Sequence, residues 1–314
     1  MSEKSIHPDG RVRLTLRQLE AFVAVAQDGS TRSAASRIAR SQSAASSALV
    51  ELEQVLGRPL FDRVGRRLVL NDHGRAVLPR AISLVDAAGE LEHLFHGAHA
   101  VPLRIAASMT IGEHILPPLL VRWTASHPHS PVRLQIANTT GVLAAVAAFD
   151  ADIGFIEGPQ THPDLAVRAW MHDELVIVAS PASPLAQAPA VTHAALRAAR
   201  WALRERGSGT REAADRWLLA QLGEVQVAFE LGTPEAIKAL VMASDALAVL
   251  PRHSVALALA RGDLVEMQAG LPPAVRELAV VTHRARSLGA GGQAFLSYCY
   301  GLTDGAATAA ATAG

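Results

Sequence analysis

One cysteine, few aromatic side chains, no net charge and no long apolar run are the scarcities that mark this chain of 314 residues. Each excludes something. A single thiol, Cys299, rules out a disulfide framework and a Cys-rich zinc site; it lies in the apolar run AFLSYCYGL and is assigned to packing. Aromatics at 4% are too few for a platform that stacks single-stranded nucleic acid. No stretch of about 18 apolar residues is present to span a membrane. The N-terminus MSEKSIHPDGRVR lacks the apolar region of a secretory signal, so the expected location is cytoplasmic. Neither G-x-S-x-G nor H-E-x-x-H occurs, and Ser208 has no His beside it, so no nucleophile–base pair argues for an enzyme.

What the chain does have is apolar residues, 50% against 18% charged, and length enough for two domains with cores of their own. Its balanced charge is unevenly placed. Residues 1–70 hold 11 Lys/Arg against 7 Asp/Glu, a net +4, and residues 71–314 hold 18 against 22, a net −4. A small basic segment, mostly arginine, on a larger acidic body suits a nucleic-acid module joined to another domain.

Residues 15–27 put Leu16, Leu19, Phe22, Val23 and Ala26 on one helical face, and Asp28-Gly29 ends that helix. Ser30 caps a short second helix through Ile38. Ser41 caps a third, with Ala45, Leu49, Leu52 and Leu56 at 4-3-4 spacing until Gly57 stops it. Residues 59–71 read as a hairpin around Val64-Gly65-Arg66-Arg67. Three short helices and a hairpin in a basic segment describe a winged helix-turn-helix over 1–70. Opposite its buried face the third helix offers Gln42, Ser43, Ser46 and Ser47 to double-stranded DNA. Arg32 and Ser33 on the second helix, and Arg63, Arg66 and Arg67 in the hairpin, complete the candidate contacts to bases, phosphates or the minor groove.

Asp72 starts a long helix through about Phe95, with Val77, Ala81, Leu84, Ala88, Leu91 and Phe95 at 4-3-4-3-4 spacing. That seam suits a coiled coil between two chains, so 71–98 is expected to be a dimerisation linker. From 103 the pattern changes. Apolar runs LRIAAS (103–108), VRLQIAN (132–138), ADIGFIEG (151–158), DELVIVAS (173–180), WALRER (201–206), ALAVLP (246–251) and ELAVVTH (277–283) alternate with helical stretches. They predict an α/β domain over 99–302 with largely parallel sheets. Lobe I is expected at about 101–170 plus 275–302, and lobe II at about 171–274, because the chain would cross over twice. The end, TDGAATAAATAG, is low in complexity and expected to be a disordered tail at 303–314.

The stretch LRQLEAFVAVAQDGSTRSAASRIARSQSAASSALVELEQVLGRPLFDRVGRRLVLNDHG resembles the N-terminal domain of LysR-type transcriptional regulators. The resemblance continues through the α/β half. There GFIEGP (154–159), RERGSGTRE (204–212) and ELGTPEAIK (230–238) are similar to a subgroup near the sulfur-assimilation regulators. It implies a promoter-binding homodimer or homotetramer, with RNA polymerase a further candidate partner, and a two-lobed effector domain similar to periplasmic binding proteins. It also implies a population shift, in which a small anion between the lobes changes their angle and moves the paired DNA-binding heads. Three positions depart from the family pattern. Thr31 stands where an aromatic is usual, Arg40 where an aliphatic is usual, and Ser47 where an arginine is common.

In two-lobed α/β domains, ligands sit at the carboxyl ends of strands near helix N-termini. The strand 103–108 ends on Ser108 and runs into Thr110. They read either as simple helix caps or, by the resemblance, as the family's anion-binding first turn. Arg204, Ser208, Thr210 and Arg211 share a strand-to-helix turn with two glycines, able to aim N–H groups and guanidinium groups at an anion. Asn138, Thr139 and Thr233 occupy further turns of this kind. Glu157 ends the strand 151–157 and should face the cleft. It reads as an ion pair with Arg204 or Arg211, or as a ligand contact. In the second case the ligand must present a proton or another donor. A sulfur oxyanion or a small amino or hydroxy acid would fit, and no cofactor is expected.

Other patterns are set aside. Gly289–Ala294 matches G-x-G-x-x-A but has no following parallel strand and no acidic residue about 20 positions on, and reads as a loop before the last helix. His93, His96 and His99 lack Cys or Asp support for a metal, and His172-Asp173-Glu174-Leu175 is internal and so no retention signal. The competing reading is a cytoplasmic small-anion binding protein, or an unrecognised enzyme, whose N-terminal domain only dimerises.

Overall fold

The computed structural model describes residues 12–65, 67–93, 102–158 and 160–312. They fall into two units, one with the residues up to 93 plus 285–289, the other with 102–284 and 290–312.

The first unit begins with α1 (Leu16–Asp28), α2 (Thr31–Arg37) and α3 (Gln42–Leu56). Thr15 and Gln18 form a reciprocal capping box on α1, Ser30 caps α2, and Ser41 accepts from Ala44 N on α3. Gly29 and Gly57 end α1 and α3 at positive φ. The buried set is Leu19, Phe22 and Val25 with Ala34, Ala45, Leu49 and Leu52. The stripe on α1 is rotated from the predicted one, leaving Leu16 exposed, and Leu56 is exposed at its helix end. The hairpin pairs β1 (Phe61–Val64) with β2 (Arg67–Leu70), and the Phe61 ring meets Phe22 edge-on. Next comes α4 (Asp72–His93). Among the described residues of its expected seam only Ala81 is buried, alongside Leu78 and Ile82, which the seam left out. Leu78, Ala81 and Ile82 are buried, and α4 packs on α1, whereas Leu84 and Leu91, seven residues apart, are exposed. One helix here carries an intrachain face and an outward one. Phe95, the end of the predicted seam, lies outside the described residues.

The described residues of the second unit form a nine-stranded sheet whose path is β4-β3-β5-β11-β6-β9-β7-β8, with β10 on β6. Lobe I holds β3 (Leu103–Ser108), α5 (Leu116–Ser126), β4 (Val132–Ala137), α6 (Thr139–Ala147) and β5 (Ile153–Glu157). A π-helical turn over Ile111–Ile115 precedes α5. Lobe II holds α7 (His193–Ala198), β7 (Arg200–Arg204), α8 (Gly209–Leu222), β8 (Gln226–Leu231), α9 (Pro234–Met242), β9 (Leu247–Pro251), α10 (Arg252–Arg261) and β10 (Val265–Glu266). Two long strands, β6 (Leu165–Ala179) and β11 (Ala274–His283), join the lobes, and α11 (Ala290–Thr312) follows.

The expectation of largely parallel sheets holds only inside each lobe. β3 pairs in parallel with β4 and β5, and β7 with β8 and β9, but β11 pairs antiparallel with β5 and β6, and β6 antiparallel with β9. Two chain crossovers between lobes require this mixture. The β6–β11 register shifts between Leu278 and Ala279, a bulge where the pair passes from one lobe to the other. Separate cores lie on the two faces of lobe II, one around Trp201, Leu203 and Leu218 and one around Val176, Ile237 and Leu250. A third, around Ala106, Val142, Val146 and Ile156, fills lobe I. The Ala-rich end predicted as disordered continues α11 through Thr312, as its helix-favouring composition allows. Among the described residues no helix is long and apolar enough to cross a membrane.

Candidate functional site

Two groups of predicted residues are brought together, one in each unit. In the first, Gln42, Ser43, Ser46 and Ser47 are all exposed on α3, opposite buried Ala45, Leu49 and Leu52. Arg32 and Ser33 are exposed on α2, and Arg63 and Arg67 on the hairpin. Arg66 lies outside the described residues. A helix face of short polar side chains beside exposed arginines can read base edges and hold phosphates.

In the second unit, the carboxyl ends of the parallel strands converge on one buried carboxylate. Glu157 closes β5 and is 2% exposed. Its Oε1 accepts from Ser108 Oγ at 2.8 Å and from Thr110 N at 3.0 Å. Its Oε2 accepts from Thr210 Oγ1 at 2.7 Å and from Arg276 Nη1 at 2.7 Å. The pairing expected with Arg204 or Arg211 is not made. Arg204 is bound to the adjacent Glu205, and Arg211 to Asp215, Glu230 and the carbonyl of Arg204. Their charges are therefore neutralised locally, inside lobe II.

Arg276 is the residue that the sequence reading missed. It is 5% exposed on β11. Besides Glu157 it donates from Nη1 to Thr210 Oγ1, from Nη2 to Thr110 Oγ1, and from Nε and Nη2 to Asp173 Oδ2 at 2.9 and 2.6 Å. Asp173, buried on β6, has its other oxygen 2.9 Å from His253 Nδ1 at the start of α10. Burial pushes the Glu157 carboxyl up, but the Arg276 guanidinium and donors Thr210, Thr110 and Ser108 outweigh it and hold the pKa at about 2. The signal was present in the sequence: Ala274, Arg276 and Leu278 alternate inward, so a charged residue stands at a core position of a strand.

The lobes also touch directly. Asn138 caps α6 through Oδ1 and donates from Nδ2 to Glu205 across the cleft. Thr139 Oγ1 donates to the Glu157 carbonyl and accepts from Gly209 N. Thr140 N donates to the Gly207 carbonyl. Ser208 caps α8 and is buried, whereas Thr233 caps α9, is exposed, and stays outside the Glu157 network. Gly209 is obligatory here, because a Cβ would lie 1.8 Å from the Glu157 carbonyl oxygen. Overpacking of this kind costs about 1–3 kcal/mol. Gly209→Ala is therefore expected to lower the thermal midpoint of the α/β transition by roughly 5 °C. A calorimetric scan with an unshifted midpoint would show that the lobes do not meet there.

One N–H, two hydroxyls and one guanidinium thus form an anion cradle, occupied by a carboxylate of the chain itself.

Two family models match the chain: "Bacterial regulatory helix-turn-helix protein, lysR family" over residues 16–75 and "LysR substrate binding domain" over 96–302. The uncharacterized HTH-type transcriptional regulator YeiE of Escherichia coli (strain K12) is 46% identical over 288 residues, 92% of this chain and 98% of that protein. A full-length OxyR point variant from Pseudomonas aeruginosa superposes with a TM-score of 0.70 at 20% identity, over 92% of this chain and 94% of that one, a likeness of fold. The regulatory domain of Synechocystis PCC6803 CcmR, in complex with 2-PG, matches at 27% identity and a TM-score of 0.59, covering 64% of this chain and 97% of that one.

Proposed function

This chain belongs to the LysR family of transcriptional regulators, and from that premise we propose that it binds promoter DNA under the control of a small protonatable oxyanion held between its two lobes. The observation that carries the effector reading is the cradle around Glu157, where four donors from β3, the turn after it, α8 and β11 converge on one buried site. The α3 residues Gln42, Ser43, Ser46 and Ser47 read bases, and Arg32, Ser33, Arg63, Arg66 and Arg67 hold phosphates. Residues 1–70 act as the DNA-reading head, 71–98 as the dimerisation linker and 99–302 as the effector domain.

In the effector site, Ser108, Thr110, Thr210 and Arg276 receive the oxyanion beside Glu157. Asn138, Thr139 and Ser208 close the lobes around it. Arg204, Arg211 and Thr233 shape the rim. Glu157 sets the ligand's chemistry. A fully ionised anion would meet two buried carboxylates, Glu157 and Asp173, that share one guanidinium. An oxyanion that carries a proton can donate it to Glu157 and still accept from the hydroxyls. Sulfur oxyanions are the first class to try, followed by small amino and hydroxy acids. Displacing Glu157 from its donors alters the contacts that hold the lobes together, and the resulting change of angle is passed to the heads.

The test is fluorescence anisotropy of the full chain against its own upstream intergenic DNA, with scrambled competitor, at several salt concentrations, with and without a panel of oxyanions. Saturable binding that survives competitor and shifts with one oxyanion is expected. Weak binding that collapses with salt and ignores sequence would overturn the reading. Self-association through α4 is checked separately. Leu84 and Leu91 are 51% and 67% exposed, and burying each stabilises by about 1.5–3 kcal/mol. Leu84→Ser with Leu91→Ser is expected to weaken dimerisation at least tenfold by sedimentation equilibrium. An unchanged constant would place the interface elsewhere.

A further inference from the structure

The turn between α2 and α3 holds a cation outside the DNA-facing set described above. Ala39 adopts φ +52, in the left-handed region, and Arg40 N donates to the Ala35 carbonyl at 2.9 Å. The chain thus reverses within two residues. Arg40 enters at the N-terminal edge of α3, one position before its cap Ser41.

Arg40 is exposed and lines a groove of about 630 Å3 together with Leu16 and Arg17 of α1 and Ala44, Ser47 and Glu51 of α3. Glu51 is the only carboxylate of the lining, and it already accepts from Gln18 Nε2 at 3.2 Å. Neither Arg17 nor Arg40 forms an ion pair among the described residues, whereas nearby Arg37 is bound to Asp28 and Gln27. The groove therefore carries two uncommitted guanidinium groups. Through Ser47 it is continuous with the polar face of α3. Arg40 and Ser47, two of the departures from the family pattern, both line this one groove.

We propose that Arg17 and Arg40 form a clamp for one phosphodiester of the DNA backbone, beside the bases that α3 reads. This rests on the DNA-binding reading above. Guanidinium groups match phosphate oxygens in bidentate geometry, and an arginine before the first turn of a helix docked in the major groove lies toward the backbone rather than the base edges. The contact positions the head and carries no sequence information.

The experiment measures DNA affinity of the full chain by anisotropy across a salt series, for wild type, Arg40→Gln, Arg17→Gln and Arg40→Lys, each on specific and scrambled duplex. Both side chains are exposed, so the fold is expected to persist, and a thermal scan of each variant checks it. Loss of one phosphate contact lowers the magnitude of the slope of log K against log salt by about 0.9. Arg40→Gln and Arg17→Gln are each expected to show part of that drop, with affinity reduced by the same factor on both duplexes. Arg40→Lys should keep the slope while losing part of the affinity. An unchanged slope in Arg40→Gln overturns the clamp while leaving DNA binding intact. Loss of discrimination between duplexes at constant slope also overturns it, by making Arg40 a base contact. A wild type that binds neither duplex saturably removes the clamp together with the DNA-binding reading.

Discussion

Arg276→Met is expected to destabilise the α/β domain by about 3–5 kcal/mol, because it leaves Glu157 and Asp173 buried without their shared cation. At about 2–4 °C per kcal/mol for a domain of this size, the thermal midpoint falls by roughly 10 °C. The loss should depend on pH in a defined direction. In the native protein Glu157 is held at about 2, below its ordinary 4.5. A carboxyl depressed on folding stabilises above its unfolded pKa, and the stabilisation is lost as pH falls through its folded pKa. For Glu157 that contribution is about 3 kcal/mol, complete above about pH 5 and lost between there and about pH 2. In the variant the opposing cation is gone and only the Ser108, Thr110 and Thr210 donors still oppose burial, so Glu157 rises from its wild-type value and acid relieves that group. The gap between wild-type and variant midpoints should therefore narrow from pH 6 to pH 4. Paired thermal scans across this range decide the matter, and a gap of constant size would mean that Arg276 does not neutralise Glu157.

The second large effect is on ligand binding. In wild type, an oxyanion must bring a proton into a site that already holds a carboxylate on every donor. Its affinity is expected to fall about tenfold per pH unit above the oxyanion's own pKa, the signature of one bound proton. Glu157→Gln keeps the shape, removes the charge and leaves Arg276 balanced by Asp173 alone. The variant should bind fully ionised oxyanions at least tenfold more tightly than wild type at alkaline pH. Its dependence on pH should flatten. Calorimetric titration across pH measures both, and identical profiles for the two proteins would remove Glu157 from the ligand's surroundings.

Local rules in the sequence were enough to find the head. Ser30 and Ser41 announce two helix starts, Gly29 and Gly57 two ends, and Leu49 and Leu52 the buried face of α3. Residues of the cleft were legible in the same way, since Ser108 and Glu157 each end a strand and Ser208 lies in the turn after one. Their partners were not. Glu157 stands across from Leu278 in the β5–β11 register, which brings Arg276 to it over a separation of 119 residues. Such pairing is set by topology, while the arginines closest in kind and context, Arg204 and Arg211, meet acids on neighbouring segments. Starting the last strand at 277 rather than Ala274 hid Arg276 as well. The strand β8 was overlooked because Gln226, Val227 and Glu230 leave an edge strand mostly exposed, without a clear alternation. On α4 the heptad seam followed the exposed Leu84 and Leu91 and caught only Ala81 of the buried stripe, because the face that packs on α1, with Leu78 and Ile82, is set by tertiary contact.

The most direct test of the account is the response of DNA binding to sulfite in wild type and Glu157→Gln, read by anisotropy on the upstream duplex at several pH values spanning the ligand's own pKa. The account predicts that sulfite shifts the wild-type binding curve at concentrations that rise steeply with pH, and that Glu157→Gln responds at a concentration nearly independent of pH and accepts sulfate as well. Equal responses of the two proteins at every pH, or a wild type that responds to sulfate as readily as to sulfite, would contradict it.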